Sequence, residues 1–369
     1  MNNNLLLGVT GSIAASKTEE LYSLLVDFYN IKIISTTEGL KYISKSFITK
    51  HNVLSSWEDA PGSPHIELSR WADKVIIYPA TANFIAKLSN GISDDLLLST
   101  MLMYKKGIYI APAMHEEMYL DKETQNNISN LSNRHIFCGP RYGNLDIGDQ
   151  GLGRLLEPTE ILEIINGNNE KVIVTSGPTY EKIDSVRGIT NSSSGKQGRA
   201  IAFELLSRGF EVTYIHSDKI DPVPHATNVK YISSNDLNNE ILNNIENVNK
   251  IYMTSAVSDF IPEIYKGKLS RKDGEVNIKL SPNIDIIKSI KEKHKDIKVI
   301  AFSAQLNNDL NYEKISDKNS DFLVINNLQT NDFGSDNNKI LIIDQDKLIF
   351  ESDNENKNII AKHIINSTF

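Results

Sequence analysis

Short apolar runs that end, again and again, in a small or polar loop are the feature that most narrows what this chain can fold into. Residues 5–7, 31–34, 75–78 and 107–111 form four such runs. They lead into Gly11-Ser12-Ile13, Ser35-Thr36-Thr37, Pro79-Ala80-Thr81-Ala82-Asn83 and Pro112-Ala113-Met114-His115. The stretches between them carry helical patterns. Apolar runs without polar alternation suit strands buried on both faces, as in a parallel sheet covered by helices. Strand–helix alternation of this kind predicts a doubly wound α/β domain with its ligand at the carboxyl edge of the sheet.

Near Pro158 the pattern changes. A helical stretch over 160–165 runs into Asn166-Gly167-Asn168-Asn169, a turn-rich linker. The alternation then restarts, with strands expected over 172–174, 211–215, 250–253, 299–302 and 322–325. A hairpin is expected to pair 339–344 with 347–351, and a helix over 357–365 closes the chain. Residues 235–249 are rich in Asn, but their isoleucines and leucines keep helical spacing. The reading is two doubly wound, Rossmann-like domains, 1–165 and 171–369, the first flavodoxin-like.

Composition excludes several classes. A net charge of −8 argues against a general nucleic-acid binder, which needs a basic face, but leaves room for local basic pockets. Cys138 is the only cysteine, so an intrachain disulfide and a cysteine-based zinc cluster are both impossible. No basic segment precedes the first apolar run, so no signal peptide is read. No stretch approaches the roughly 20 apolar residues of a membrane span. A cytoplasmic protein without membrane or nucleic-acid partners is expected.

Residues 172–205 hold the densest chemistry. After an apolar strand come two candidate anion contacts, Arg187 and Asn191, then Ser192-Ser193-Ser194-Gly195-Lys196-Gln197-Gly198 at a helix start. Free backbone N–H groups and the helix dipole favour an anion there. The spacing is neither a P-loop nor Gly-x-Gly-x-x-Gly. Local chemistry alone fits an ordinary capped helix as well as a phosphate site. Ser12, at the first helix start, has the same double reading.

Four N-terminal features taken in order resemble the flavin-dependent cysteine decarboxylases. They are Gly11-Ser12-Ile13-Ala14-Ala15; His65-Ile66-Glu67-Leu68; Pro79 to Asn83 with Gly91 and Asp94-Asp95-Leu96; and Pro112-Ala113-Met114-His115. Gly177-Pro178-Thr179, Asp184, Val186-Arg187, Asn191 and the Ser-Ser-Gly-Lys loop resemble phosphopantothenate–cysteine ligases. The union, in this order, resembles the bifunctional coenzyme A biosynthesis family. Pro-Ala-Met-His is the archaeal-type form of a motif that carries Asn in most bacterial members. The bacterial flap cysteine aligns with Ile147, ahead of Gly151-Leu152-Gly153-Arg154. Cys138, inside an apolar run, reads as a small core residue rather than its substitute.

The resemblance implies a carboxy-lyase and an acid–amino-acid ligase in one chain. It implies FMN held at its phosphate by Gly11, Ser12 and Ile13, with Thr37, Ala80, Thr81 and Asn83 around the rest. His65 is then the base for the substrate thiol, and His115 holds the substrate carboxylate beside Met114. A surface His65 and a merely packing Met114 are the bland readings. In the second half the resemblance implies 4′-phosphopantothenate, cysteine, Mg2+ and CTP or ATP. Ser194, Gly195, Lys196, Ala256, Asp259, Asn283, Asp285, Ile286, Phe302, Lys314 and Lys318 would form the nucleotide and substrate site. Lys268 would face the triphosphate, while Arg187 and Asn191 would hold the acyl intermediate. No metal ligand is assigned. Lysines four apart, such as Lys314 and Lys318, are more often a solvated helix face. Two segments depart from the bacterial pattern, Lys268-Leu269-Ser270-Arg271 and Ala304-Gln305-Leu306. The family implies a homo-oligomer with a trimeric decarboxylase core and paired ligase domains. Rival readings are a ligase fused to a non-decarboxylating flavin-binding regulator or scaffold, and a nicotinamide-dependent reductase. The missing Gly-x-Gly-x-x-Gly speaks against the reductase.

Overall fold

A computed structural model of the chain describes residues 3–145, 148–167, 170–305, 315, 319–327 and 334–369. Ile147, the linker residues Asn168 and Asn169, Leu306, Lys314 and Lys318 lie outside the described residues. The chain divides into two compact units, Met1–Asn168 with Leu206–Gly209, and Asn169–Leu205 with Phe210–Phe369.

In the first unit the strands are β1 (Asn3–Val9), β2 (Tyr29–Ser35), β3 (Lys74–Ala80), β4 (Tyr109–Pro112) and β5 (Ile136–Phe137). They form one sheet in the order β2-β1-β3-β4-β5, with every pair parallel. Leu5, Leu6 and Leu7 are all fully buried, because helices cover both faces of the sheet. Leu6, Val75, Ile77 and Ile110 share a core cluster with Leu68, Ile85 and Leu97. Truncating Ile77 to Ala would cost about 2–5 kcal/mol through lost burial and the cavity left behind. The strand order reverses between β1 and β3, which puts the topological switch point at their carboxyl ends.

A hairpin, β6 (Arg141–Asn144) with β7 (Gln150–Arg154), follows the sheet. Its glycines and charged residues lack the β-branched alternation that marks a strand, so sequence patterning did not find it. The helix Pro158–Asn166 then ends at Gly167, whose φ of 84° suits glycine.

The second unit opens with β8 (Lys171–Ser176), β9 (Tyr180–Lys182), β10 (Gly188–Thr190), β11 (Glu211–Ser217), β12 (Thr227–Tyr231) and β13 (Val248–Met253). It continues with β14 (Phe260–Pro262), β15 (Leu280–Pro282), β16 (Lys298–Gln305), β17 (Phe322–Asn327), β18 (Asn337–Asn338), β19 (Ile340–Ile343) and β20 (Leu348–Glu351). The main sheet runs β12-β11-β8-β13-β16-β17-β19-β20. Its first six strands are parallel, and β19 and β20 add an antiparallel hairpin where the sequence placed one. Counting only the parallel strands in chain order gives 3-2-1-4-5-6, the Rossmann arrangement, with its switch point between β8 and β13. β12, with a mostly exposed polar pattern at the sheet edge, is the strand that apolar periodicity missed. The Asn-rich stretch forms a helix over Ser234–Asn243, capped by Ser233. No helix among the described residues is long and apolar enough to cross a membrane.

Candidate functional site

The first unit holds a cleft of about 550 Å³ where β1, β2, β3 and β4 deliver their carboxyl ends. Gly11, Ser12, Thr37, Thr81, Asn83 and Met114 line it, together with Thr10, Lys87 and Asp94. Thr10, which sequence reading left out, joins the two halves of the switch point. Its hydroxyl donates to the Pro79 carbonyl at 2.9 Å and accepts from the Thr81 N–H at 3.0 Å. Thr81 in turn caps the helix Ala82–Ser89 by accepting from the Phe84 N–H. Ser12 caps the short turn Ile13–Lys17 by accepting from the Ala14 N–H. Lys87 and Asp94 pair at 2.6 Å on the rim.

Two expected cofactor contacts do not turn their side chains to the cleft. Ala80 is fully buried inside the core, and its carbonyl accepts from the Ala113 N–H, so it positions Thr81 instead of facing the cleft. Ile13 is 53% exposed and does not line the cleft.

The candidate catalytic histidines lie off the cleft wall. His65 is the second residue of the helix Pro64–Trp71, not part of a loop, because Pro64 starts that helix. Its ring is half-buried, and Nδ1 is buried without a hydrogen-bond partner among the described residues. His115 precedes the helix Glu116–Leu120 as its cap residue. Its Nδ1 bonds the Glu117 carboxylate, and its Nε2 lies 3.4 Å from Asp149 Oδ2. The hydrogen bond to Glu117, then the charges of Glu117 and Asp149, hold its pKa above the usual histidine value. Asp149 arrives on the β6–β7 hairpin, which docks through the Leu152 N–H to Glu116 and the Met114 N–H to the Gly153 carbonyl. Glu117 lies two residues along the chain, whereas Asp149 was not legible in sequence, since hairpin docking is a tertiary event. Cys138 is fully buried, as its apolar context implied.

In the second unit, Ser194, Gly195, Lys196, Ala256 and Phe302 come together around a cavity of about 180 Å³ at the ends of β13, β16 and β17. The helix Lys196–Ser207 starts on this cavity. Gly195 has φ +68°, a left-handed value. A Cβ on Gly198 would lie 2.2 Å from Thr254 Oγ1, so only glycine lets this helix start press onto the sheet. The remaining expected residues that the structure describes do not line this cavity. Asn191 reaches it indirectly, donating from Nδ2 to the Ala256 carbonyl at 2.8 Å.

Arg187 and Lys268 belong to two segments tied by Asp184. The buried Asp184 carboxylate accepts from the Val186 and Arg187 N–H groups, from the Arg187 guanidinium and from the Leu269 N–H. Arg187 also donates to the Leu269 carbonyl at 3.0 Å. The backbone donors, Val186 foremost, bring the pKa of Asp184 down to about 2. Lys268 itself is exposed. Asp259 and Asn283 meet where β14 pairs with β15, the Asn283 N–H donating to the Asp259 carbonyl. Asp285 is the cap of the helix Ile286–Lys293 and accepts from the Lys288 N–H. Ile286 is a core residue, so only its backbone could meet a nucleotide. No group of three or more acidic, histidine or cysteine side chains among the described residues forms a metal cage.

Two switch-point clefts in two α/β units define a tandem of small-molecule-binding domains, and the family comparisons assign each one. Residues 1–170 match the flavoprotein family, and 167–369 match the DNA/pantothenate metabolism flavoprotein C-terminal domain. The chain is 34% identical over 370 residues to the coenzyme A biosynthesis bifunctional protein CoaBC of Bacillus subtilis, covering 94% of this chain and 91% of that protein. It is 32% identical over 386 residues to the protein of the same name from Borreliella burgdorferi, covering 99% and 98%. Among solved structures it is similar to the C-terminal domain of CoaBC, at 29% identity and a TM-score of 0.46, covering 55% of this chain and 94% of that one. The chain belongs to the bifunctional coenzyme A biosynthesis family. It is an enzyme of two activities, a flavoprotein decarboxylase and a ligase, and a flavin-binding scaffold beside a lone ligase is not favoured.

Proposed function

We propose that residues 1–165 bind FMN and decarboxylate phosphopantothenoylcysteine, and that residues 171–369 make that substrate from 4′-phosphopantothenate and cysteine with CTP or ATP and Mg2+. The observation that carries the first half is the cleft at the β1/β3 switch point, with Ser12, Thr37 and Thr81 hydroxyls and the Gly11 backbone on its wall. That donor set fits a phosphate and a polyol chain, and the volume is within the range of cofactor pockets. When bound, the flavin supplies the hydride acceptor and donor.

The protein's own groups would do the rest. His65 would take the thiol proton: no side chain or backbone group among the described residues competes for its Nδ1. His115, its pKa raised by Glu117 and Asp149, would face the substrate carboxylate and would stand in for the flap proton donor. In the second unit the Ser194-Gly195-Lys196 helix start would receive nucleotide phosphates. The Asp184 clamp would hold Arg187 and the Lys268 loop in register for the acyl intermediate. A cytoplasmic homo-oligomer, with a trimeric first half and paired second halves, completes the reading.

The test is direct. Purified protein should carry the absorbance of oxidised flavin and release CO2 from phosphopantothenoylcysteine. With phosphopantothenate and CTP or ATP it should release pyrophosphate. Protein that binds no FMN would defeat the first half; absence of pyrophosphate with either nucleotide would defeat the second.

A further inference from the structure

The cavity at the Ser194–Lys196 helix start has a wall that none of the residues discussed so far explains. It is made by the C-terminal end of the chain, where Asn338 on β18 and Lys357 at the start of the helix Lys357–Thr368 both line the space. Asn338 is 5% exposed, and its Oδ1 is buried without a hydrogen-bond partner among the described residues. Gln197, on the facing helix, has the same deficit at Oε1. A buried amide oxygen lacking a donor is unfavourable, and two on one cavity are completed most simply by a ligand that brings N–H groups.

The same wall is cationic. Lys196 Nζ donates to Asp336 Oδ1 at 2.6 Å and to the Gly334 carbonyl at 2.8 Å. Lys357 Nζ donates to the Ser335 carbonyl, and the Lys357 N–H donates to the Asp336 carbonyl. Residues 334–336 are therefore held between two ammonium groups, each with three donors to dispose of. Burial, then the charge of Lys196, lowers the pKa of Lys357, and the Asp336 carboxylate between the two ammonium groups only partly opposes this.

We propose that this wall recognises the nucleotide co-substrate: Asn338 accepts a hydrogen bond from an exocyclic amine of the base, and Lys357 with Lys196 attracts the phosphates. The inference rests on the reading that the second unit binds a nucleotide in this cavity, and adds which part of the chain selects it. Cytosine and adenine present an amine. Uracil presents a carbonyl at the corresponding position and would face Asn338 and Gln197 with a third acceptor.

The experiment is titration calorimetry of the intact protein with CTP, ATP and UTP, each without phosphopantothenate or cysteine so that no reaction occurs. Wild type should bind CTP or ATP about tenfold or more tightly than UTP. Asn338→Ala should weaken binding of the amine-bearing nucleotide about tenfold and leave UTP nearly unchanged. Asn338→Asp, which keeps the acceptor, should restore the preference over UTP; a purely structural asparagine would not be rescued in this way. Lys357→Gln should weaken the triphosphate about tenfold while sparing the free nucleoside. Circular dichroism of each variant separates loss of contact from loss of fold. Binding of UTP by wild type as tight as that of the better of CTP and ATP, or unchanged binding of that nucleotide by Asn338→Ala, overturns the proposal. So does a loss confined to 4′-phosphopantothenate, titrated alone, which would give this wall to the other substrate. If wild type binds no nucleotide, the ligase reading falls with it; the other failures leave that reading intact.

Discussion

The two units solve one geometric problem with different chemistry. Each places a cleft where its strand order reverses, at the carboxyl ends of parallel strands. The first cleft is walled by hydroxyls and small residues, with a Lys87–Asp94 pair on its rim. The second is walled by lysines and carboxamides and closed by an added antiparallel hairpin region. Under the proposed assignment the first would take a neutral polyol with one phosphate, and the second a triphosphate with an amine-bearing base. Sheet topology therefore sets where each site lies, and loop composition sets what it takes.

Breaking one side of this comparison should leave the other untouched. The largest effect is expected from His65→Asn, which should keep the flavin spectrum and the pyrophosphate activity but lower CO2 release by about 10²–10⁴-fold, the usual range for a removed general base. Undiminished CO2 release would remove His65 from the mechanism.

On the other side, Lys268→Gln should slow pyrophosphate release about a hundredfold, with or without cysteine. Asn191→Asp should instead form the acyl-nucleotide and pass it poorly to cysteine. It replaces an amide donor by a carboxylate facing the Ala256 carbonyl, which pushes the loop away from its position beside the cavity. Failure of both variants at the same step would merge the two roles.

Acid should sharpen the comparison further. The folded pKa of Asp184 is about 2, below the ordinary carboxylate value near 3.8. Its stabilising contribution is complete above the unfolded value and is lost as pH falls through the folded one. Asp184→Asn should therefore flatten the loss of stability of the second unit between about pH 4 and pH 2, read by hydrogen exchange of amides in its sheet. An unchanged acid transition would mean the clamp does not couple to folding.

Smaller effects probe the first unit. Thr81→Ala removes a helix cap and should cost about 1 kcal/mol, seen as a lowered Tm. Loosened flavin binding alongside it would tie the cap to the cleft. Smallest of all, Cys138→Ser should leave CO2 release nearly unchanged, since the thiol is fully buried in the core. A variant that loses turnover while keeping its fold would make Cys138 a participant.

Both sheets were legible because fully buried strands announce themselves as apolar runs, and Leu5-Leu6-Leu7 or Val172-Ile173-Val174 have no other economical fold. The polar residues after each run marked the clefts for the same reason: a strand's carboxyl end in a doubly wound sheet is where a ligand approaches. Edge elements were not legible. β12 and the β6–β7 hairpin are polar or glycine-rich, and only docking stabilises them. With the hairpin went Asp149, and with it the charged surroundings of His115.

The amino-acid order by itself determined the fold class and the helix starts at Ser12 and Lys196, because these depend on periodicity and on local capping. Tertiary structure alone decided which of the motif residues meet. Ala80 and Ile286 turned inward because their positions on a strand end and a helix face point to the core. Asn338 and Lys357, unremarkable in sequence, came to the cavity at the Ser194–Lys196 helix start because the last hairpin and helix fold back across the carboxyl ends of the sheet. Contacts between residues more than a hundred positions apart, such as Lys196 with Asp336, are set by how the strands order themselves, and no local pattern encodes that.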